Sequence, residues 1–229
     1  MAKLREEIIG YVGPMYAHKT TLFLDDINGR EAVGQKVLVV KPGNDNRFAM
    51  DVVQSRNGGT HPAFPIPTGE PELICDYLTQ DRYDYVGVDE AQFFDPLLNE
   101  VILEITQRYK IPVGYTALTR DYRGDPFPTM KDLMSLSTEL SMLTARCAAT
   151  VENGSVHRCG NPAKMTQRLR DGLPDSIYSD TVKIEYLDGR PDTDGHVYKY
   201  EPRCLGCWEV ADMPESRFSV AKSRILITP

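Results

Sequence analysis

The strongest constraint on this chain is an alternation that runs through its first 118 residues. Ile8-Ile9-Gly10-Tyr11-Val12 reads as a short buried strand closed by Gly13-Pro14. Residues 19–32 follow with Leu22, Phe23, Asp26 and Ile27 at helical spacing, and Gly34 stands past their end. Further buried strands are predicted at 36–40, 83–88 and 112–117, with helical stretches at 70–79 and 97–109 between them. Strands alternating with helices close through right-handed crossovers. The fold class they imply is α/β, a mostly parallel sheet with helices on both faces.

Past residue 118 the texture changes. A loop rich in Arg, Asp, Gly and Pro (119–129) leads into a predicted helix at 130–140. Short β-like pieces follow at 164–169, 181–187 and 196–201, interrupted by Gly and Pro. The expected division is an α/β domain over 1–146, a small metal-binding unit over 147–210 and a C-terminal tail over 211–229.

Composition matters here for what it excludes. The 229 residues carry 26 Lys and Arg against 33 Asp and Glu, a net charge of −7. That balance argues against a surface that coats nucleic acid, although a few local cations can still hold a phosphate. No apolar run approaches the roughly 18 residues of a membrane span. The N-terminus puts charge where a secretory leader needs an apolar run. The expectation is a soluble cytoplasmic protein with no membrane and no nucleic-acid partner.

Gly13-Pro14-Met15-Tyr16-Ala17-His18-Lys19-Thr20 follows a predicted strand and opens a predicted helix, the context of a phosphate loop. Backbone N–H groups in such a turn converge on phosphate oxygens. The lysine neutralises β/γ charge, and the threonine hydroxyl can ligate Mg²⁺. His18 stands where the pattern has a second glycine; histidine is among the side chains that tolerate positive φ. Read alone, Gly13-Pro14 could instead be a strand-ending turn and Lys19 a solvated helix residue.

Asp89-Glu90 narrows the choice. The pair ends the apolar run Tyr85-Val86-Gly87-Val88, and in a parallel sheet the C-terminal strand ends face the ligand crevice. Asp89 can then hold Mg²⁺ beside the loop, and Glu90 can face an acceptor hydroxyl as general base. A nucleoside-triphosphate site is favoured over a simple strand end.

Five cysteines are too few for a disulfide scaffold of this length. Cys204-Leu205-Gly206-Cys207 is a C-x₂-C turn that can hold one side of a tetrahedral zinc, and Cys147 and Cys159 could supply the other. His157 competes as fourth ligand, so Cys₄ is preferred and Cys₃His stays open. Such a site is closed and structural. Cys75 reads as a small buried apolar residue.

The same residues, taken in order, resemble the zinc-containing, type II thymidine kinases. The resemblance runs from about Ile8 to Trp208. It passes through the phosphate loop, Asp45-Asn46-Arg47-Phe48, Asp89-Glu90-Ala91-Gln92-Phe93-Phe94 and the run from Leu118 to Phe127. It ends on Cys159-Gly160-Asn161-Pro162-Ala163, Thr166-Gln167-Arg168-Leu169 and Tyr200-Glu201-Pro202-Arg203-Cys204. The acidic run with its two phenylalanines and the Cys-Gly-x-Pro-Ala to Thr-Gln-Arg segment are specific; the phosphate loop is not.

The resemblance implies ATP at Gly13 to Thr20, with Asp45, Asn46 and Arg47 on the ATP side, and Mg²⁺ near Thr20 and Asp89. Glu90 would take the 5′-hydroxyl proton of thymidine or deoxyuridine, and Gln92 would neighbour the phosphates. Phe93, Leu118, Tyr122 and Phe127 would wall the nucleoside, and Tyr200 would close over it. A lid tied down by zinc would cover the base, with Val182 and Ile184 as its contacts; members are usually tetramers. Arg168 could meet phosphate on its own chemistry. Two insertions depart from the family pattern, at 148–158 and 188–199. The rival readings are a nucleotide-binding protein with decayed kinase activity and a P-loop ATPase with another acceptor.

Overall fold

The computed structural model describes residues 7–43, 51–152, 156–183 and 189–214, with the side chains at 151, 152, 156 and 157 outside that description. The N-terminal part comprises β1 (Ile8–Val12), α1 (Lys19–Ala32), β2 (Val37–Pro42), a small hairpin of β3 (Val52–Gln54) and β4 (Thr60–Pro62), and β5 (Phe64–Ile66). It continues through α2 (Leu73–Gln80), β6 (Tyr85–Val88), α3 (Leu98–Gln107), β7 (Val113–Ala117), α4 (Pro128–Leu136) and β8 (Glu139–Met142). Six strands form one sheet in the order β5-β2-β6-β7-β1-β8, and every pairing in it is parallel.

The pleat divides the apolar residues between two cores, because successive side chains point to opposite faces. Leu38 and Val40 of β2, Val86 and Val88 of β6, and Val113, Tyr115 and Ala117 of β7 face Ile74 of α2, Leu98, Ile102 and Ile105 of α3, and Met130 and Leu133 of α4. Val39 and Tyr85 face the other way, onto Phe23, Leu24 and Ile27 of α1. Helices therefore cover both faces, as the alternation implies. Among the described residues, no helix is long and apolar enough to cross a membrane.

Two sheet strands escape the sequence reading, and both lie at edges. The helix expected at 130–140 ends at Leu136, where Ser137 turns extended with φ −68° and ψ 129°. Glu139–Met142 then joins β1 as a sixth strand. An edge strand is half exposed and lacks the continuous apolar run of a central one. The other edge, Phe64–Ile66, contains Pro65, which lacks an N–H and is tolerated where a strand has one neighbour.

The C-terminal part is built from short antiparallel pieces. They are β9 (Ala145–Arg146), β10 (Thr150–Glu152), β11 (Val156–Arg158), β12 (Pro162–Ala163), β13 (Met165–Arg170), β14 (Leu173–Pro174) and β15 (Tyr198–Arg203). β9 pairs with β12, β10 with β11, and β13 lies between β14 and β15. The strand expected at 181–187 is not formed over 181–183, and 184–188 lie outside the described residues.

Candidate active site and cysteine cluster

The loop after β1 bears out the steric reasoning. A Cβ on Gly13 would stand 2.5 Å from the Leu143 carbonyl oxygen, so only glycine fits there. Tyr16 and His18 both adopt the left-handed region, at φ 65° and 60°. His18, where the pattern has glycine, keeps the left-handed turn and caps α1 with ψ 23°. Its carbonyl accepts the Leu22 N–H at 3.2 Å, the first turn of the helix. Lys19 is buried, with Nζ donating to the Pro14 carbonyl at 2.9 Å. The Met15 N–H reaches Thr166 Oγ1 at 3.2 Å, tying the loop to β13, and the Arg56 guanidinium lies 4.1 Å above the Tyr16 ring. Ala17 is buried and Thr20 half-buried at the start of α1.

The acidic pair sits at the end of β6. Asp89 is 6% exposed, and its N–H continues the ladder to the Val40 carbonyl. Glu90 leaves the strand in the left-handed region, at φ 49° and ψ 45°. The Gln92 amide donates from Nε2 to Glu90 Oε2 at 2.5 Å, while its Oε1 accepts the Leu118 N–H at 3.0 Å. Gln92 thus bridges Glu90 and the backbone of Leu118.

Phe93 and Phe127 meet edge to face, centroids 6.0 Å apart, the geometry that the ring quadrupoles favour. Leu118 packs half-buried against the same core. Tyr122 is buried; its hydroxyl donates to the Ser176 carbonyl at 2.7 Å, with the Ser179 carbonyl 3.1 Å away. Arg168 is fully buried. Its Nε meets Asp175 Oδ2 at 2.7 Å, its Nη1 the Thr181 carbonyl at 3.2 Å, and its guanidinium lies 3.6 Å from the Tyr122 centroid. The described residues offer no hydrogen-bond partner to its Nη2. Tyr200 holds the next residues: its hydroxyl donates to the Lys183 carbonyl at 2.9 Å and accepts the Lys183 N–H at 3.3 Å. Val182, between these anchors, is 54% exposed. Asp45, Asn46, Arg47 and Ile184 lie outside the described residues.

Thr116, Asp175 and Trp208 carry contacts that no motif announced. Thr116 is a single polar residue within an apolar strand and Asp175 one of several polar residues in a loop, and only the fold gives them their partners.

The sulfurs of Cys147, Cys159, Cys204 and Cys207 all lie within 4.8 Å of one another. A tetrahedral zinc with Zn–S bonds of about 2.3 Å asks for S···S edges of roughly 3.8 Å, and Cys159 and Cys204 stand 3.9 Å apart. The donor set fits a small zinc site. Burial opposes ionisation of Cys204, yet hydrogen bonds from Cys207, Cys147 and Cys159 bring its thiol down to about 7. The bond to Cys204, with burial, pushes Cys207 up to about 12.

Between Cys147 and Cys159, β10 and β11 pair antiparallel, with Thr150 opposite Arg158 and Glu152 opposite Val156. The Cys159 N–H returns to the Ala149 carbonyl at 2.8 Å and the Gly160 N–H to the Cys147 carbonyl at 3.1 Å, which sets the two thiols side by side. The His157 side chain lies outside the described residues. Cys75 is half-buried rather than buried.

Two kinds of comparison agree with this geometry. A family profile described as thymidine kinase matches residues 6–208. The chain is 32% identical over 194 residues to a thymidine kinase of Thermococcus kodakarensis, covering 84% of this chain and 88% of that one. It is 30% identical over 213 residues to a thymidine kinase of Mesoplasma florum, covering 90% and 95%. The match spans the phosphate loop, the acidic pair and all four clustered cysteines, and this chain belongs to the thymidine kinase family, whose curated members are phosphotransferases.

Proposed function

We propose that this protein transfers the γ-phosphoryl group of ATP to the 5′-hydroxyl of thymidine, with deoxyuridine as a second acceptor. The observation that carries the reading is the end of β6. There Asp89 is held in line with the sheet, while Glu90 turns out of it with its carboxylate fixed by Gln92.

Glu90 takes the proton from the 5′-hydroxyl as that oxygen bonds to the γ-phosphorus. The bond from the γ-phosphorus to the β–γ bridging oxygen breaks, and ADP leaves. The backbone of Gly13 to Thr20 and the Lys19 ammonium receive the phosphates, with Asp45, Asn46 and Arg47 on the same side. Thr20 and Asp89 would hold Mg²⁺, which when bound neutralises charge on the β and γ phosphates. Positioning and electrostatics carry the rate.

Phe93, Leu118, Tyr122 and Phe127 wall the nucleoside, and Tyr200, Val182 and Ile184 belong to a lid over the base. Arg168 acts there by holding Tyr122 and Thr181. Structural zinc on the four cysteines anchors that lid, within a unit spanning 147–210 between the α/β domain (1–146) and a tail (211–229). The left-handed His18 supports a working loop over a decayed one. The same reading makes the protein a cytoplasmic homotetramer, to be checked by light scattering.

A screen of deoxynucleosides with ATP and Mg²⁺ tests the reaction. Phosphorylation of thymidine above the purine nucleosides and deoxycytidine is expected. Phosphate release at the same rate without any nucleoside would favour an ATPase instead.

A further inference from the structure

Thr116 is the one hydroxyl-bearing residue besides a tyrosine in β7, and it is 1% exposed. A buried hydroxyl needs partners, and its partners are the two acidic residues of the site. Oγ1 donates to Asp89 Oδ1 at 2.5 Å and accepts the Glu90 N–H at 3.0 Å.

The register explains the meeting. Val88 pairs with Tyr115 in adjacent parallel strands, and both face the α2–α4 core. One residue further on, Asp89 and Thr116 therefore share the opposite face, on the side of α1 and the phosphate loop.

The directions of the two bonds are chemically fixed. An ionised carboxylate only accepts, so the single hydroxyl proton goes to Asp89, and a lone pair is left for Glu90. Donating to the carboxylate makes the same oxygen a better acceptor. Glu90 needs that bond, because a left-handed glutamate persists only where its surroundings hold it. Its carbonyl is held separately, by the Phe93 N–H at 3.1 Å.

We infer that Thr116 is a positioning residue of the phosphoryl transfer, its hydroxyl setting the Asp89 carboxylate and the Glu90 backbone in one fixed relation. The inference rests on the reading of Asp89 and Glu90 given above. It adds that the metal-side carboxylate and the base are mechanically joined through a side chain of the neighbouring strand.

Thr116→Val keeps the shape and removes both bonds, whereas Thr116→Ser keeps the hydroxyl. For Thr116→Val the expected result is a fall in kcat of about 30- to 100-fold, the scale of a misplaced catalytic group. Thymidine Kd by calorimetry should stay within about twofold, and the Mg²⁺ concentration for half-maximal rate should rise. Thr116→Ser should recover most of the rate. If the valine variant does not fold, Thr116→Ala carries the same expectation. A wild-type kcat in the valine or alanine variant, or a serine variant as slow as valine, overturns the inference. Glu90→Gln run in parallel separates the two failures. An active Glu90→Gln sinks the underlying reading, whereas an inactive Glu90→Gln beside a fully active Thr116→Val sinks only the role of Thr116.

Discussion

The indole Nε1 of Trp208 donates to the main-chain carbonyl of Tyr122 at 2.9 Å. Trp208 is the only tryptophan of the chain and immediately follows Cys207. Tyr122 holds Ser176 and Ser179 through its hydroxyl and stacks under Arg168. The bond thus joins the cysteine knuckle to an aromatic side chain proposed to wall the nucleoside. Loosening the knuckle should be felt there. Stripping the metal with a chelator, or Cys204→Ser, should shift Trp208 emission to the red and raise the thymidine KM about tenfold, the scale of lost outer-shell support. The ATP KM should move far less. Unchanged nucleoside kinetics in the Cys204→Ser protein would reject the coupling.

The pair Arg168–Asp175 is the most buried ion pair described, with both side chains at 0% exposure. Removing Arg168 leaves the buried Asp175 carboxylate with only the half-exposed Arg170, 3.5 Å away, as a cationic partner. Arg168→Met should cost about 3–5 kcal/mol of stability, as broken buried pairs do. A urea midpoint close to the wild type would show that the pair is dispensable.

His18 gives a prediction of opposite sign. A left-handed L-residue costs roughly 1–2 kcal/mol, and glycine in its place gives back about 0.5–1 kcal/mol through the entropy of the unfolded chain. His18→Gly should therefore stabilise the protein by up to about 1 kcal/mol with the loop geometry unchanged. His18→Val, branched at Cβ, should weaken both stability and ATP use. Equal urea midpoints for glycine and valine variants would contradict the strain argument.

At alkaline pH the tyrosines decide. Burial, then the Asp26 carboxylate that accepts from its hydroxyl, raises Tyr85 well above its ordinary value of 10. Burial likewise pushes Tyr115 up to about 12. Above pH 10 the unfolded chain loses these protons while the folded one keeps them, so stability is full below 10 and falls as pH rises. Urea unfolding at pH 9 and pH 11 should show that fall, and Tyr85→Phe should flatten it. An identical pH slope in the variant would contradict the assignment.

What the sequence reveals follows from how local each signal is. Continuous apolar runs such as 37–40 and 85–88 announce central strands because both their faces are buried. The edge strands Phe64–Ile66 and Glu139–Met142 do not, since among the described residues each pairs on one side only and Pro65 or an exposed Met142 breaks the pattern. The phosphate loop, the acidic pair and the four cysteines are legible because their chemistry fixes residue type and spacing. Thr116, 26 positions from Glu90, and Asp175, seven from Arg168, are not. They acquire meaning only when strand register and loop closure bring them to a partner. Gln92 lies between these cases: its place in the motif is plain, but the direction of its amide toward Glu90 is a tertiary fact.

The central claim is that Glu90 is the base. The most direct measurement is Glu90→Gln, assayed for thymidine binding by calorimetry and for thymidine phosphate formation with ATP and Mg²⁺. The account predicts thymidine affinity within about threefold of the wild type and a rate reduced at least about 100-fold, the lower range of general-base contributions. A Glu90→Gln protein that phosphorylates thymidine at the wild-type rate would contradict it.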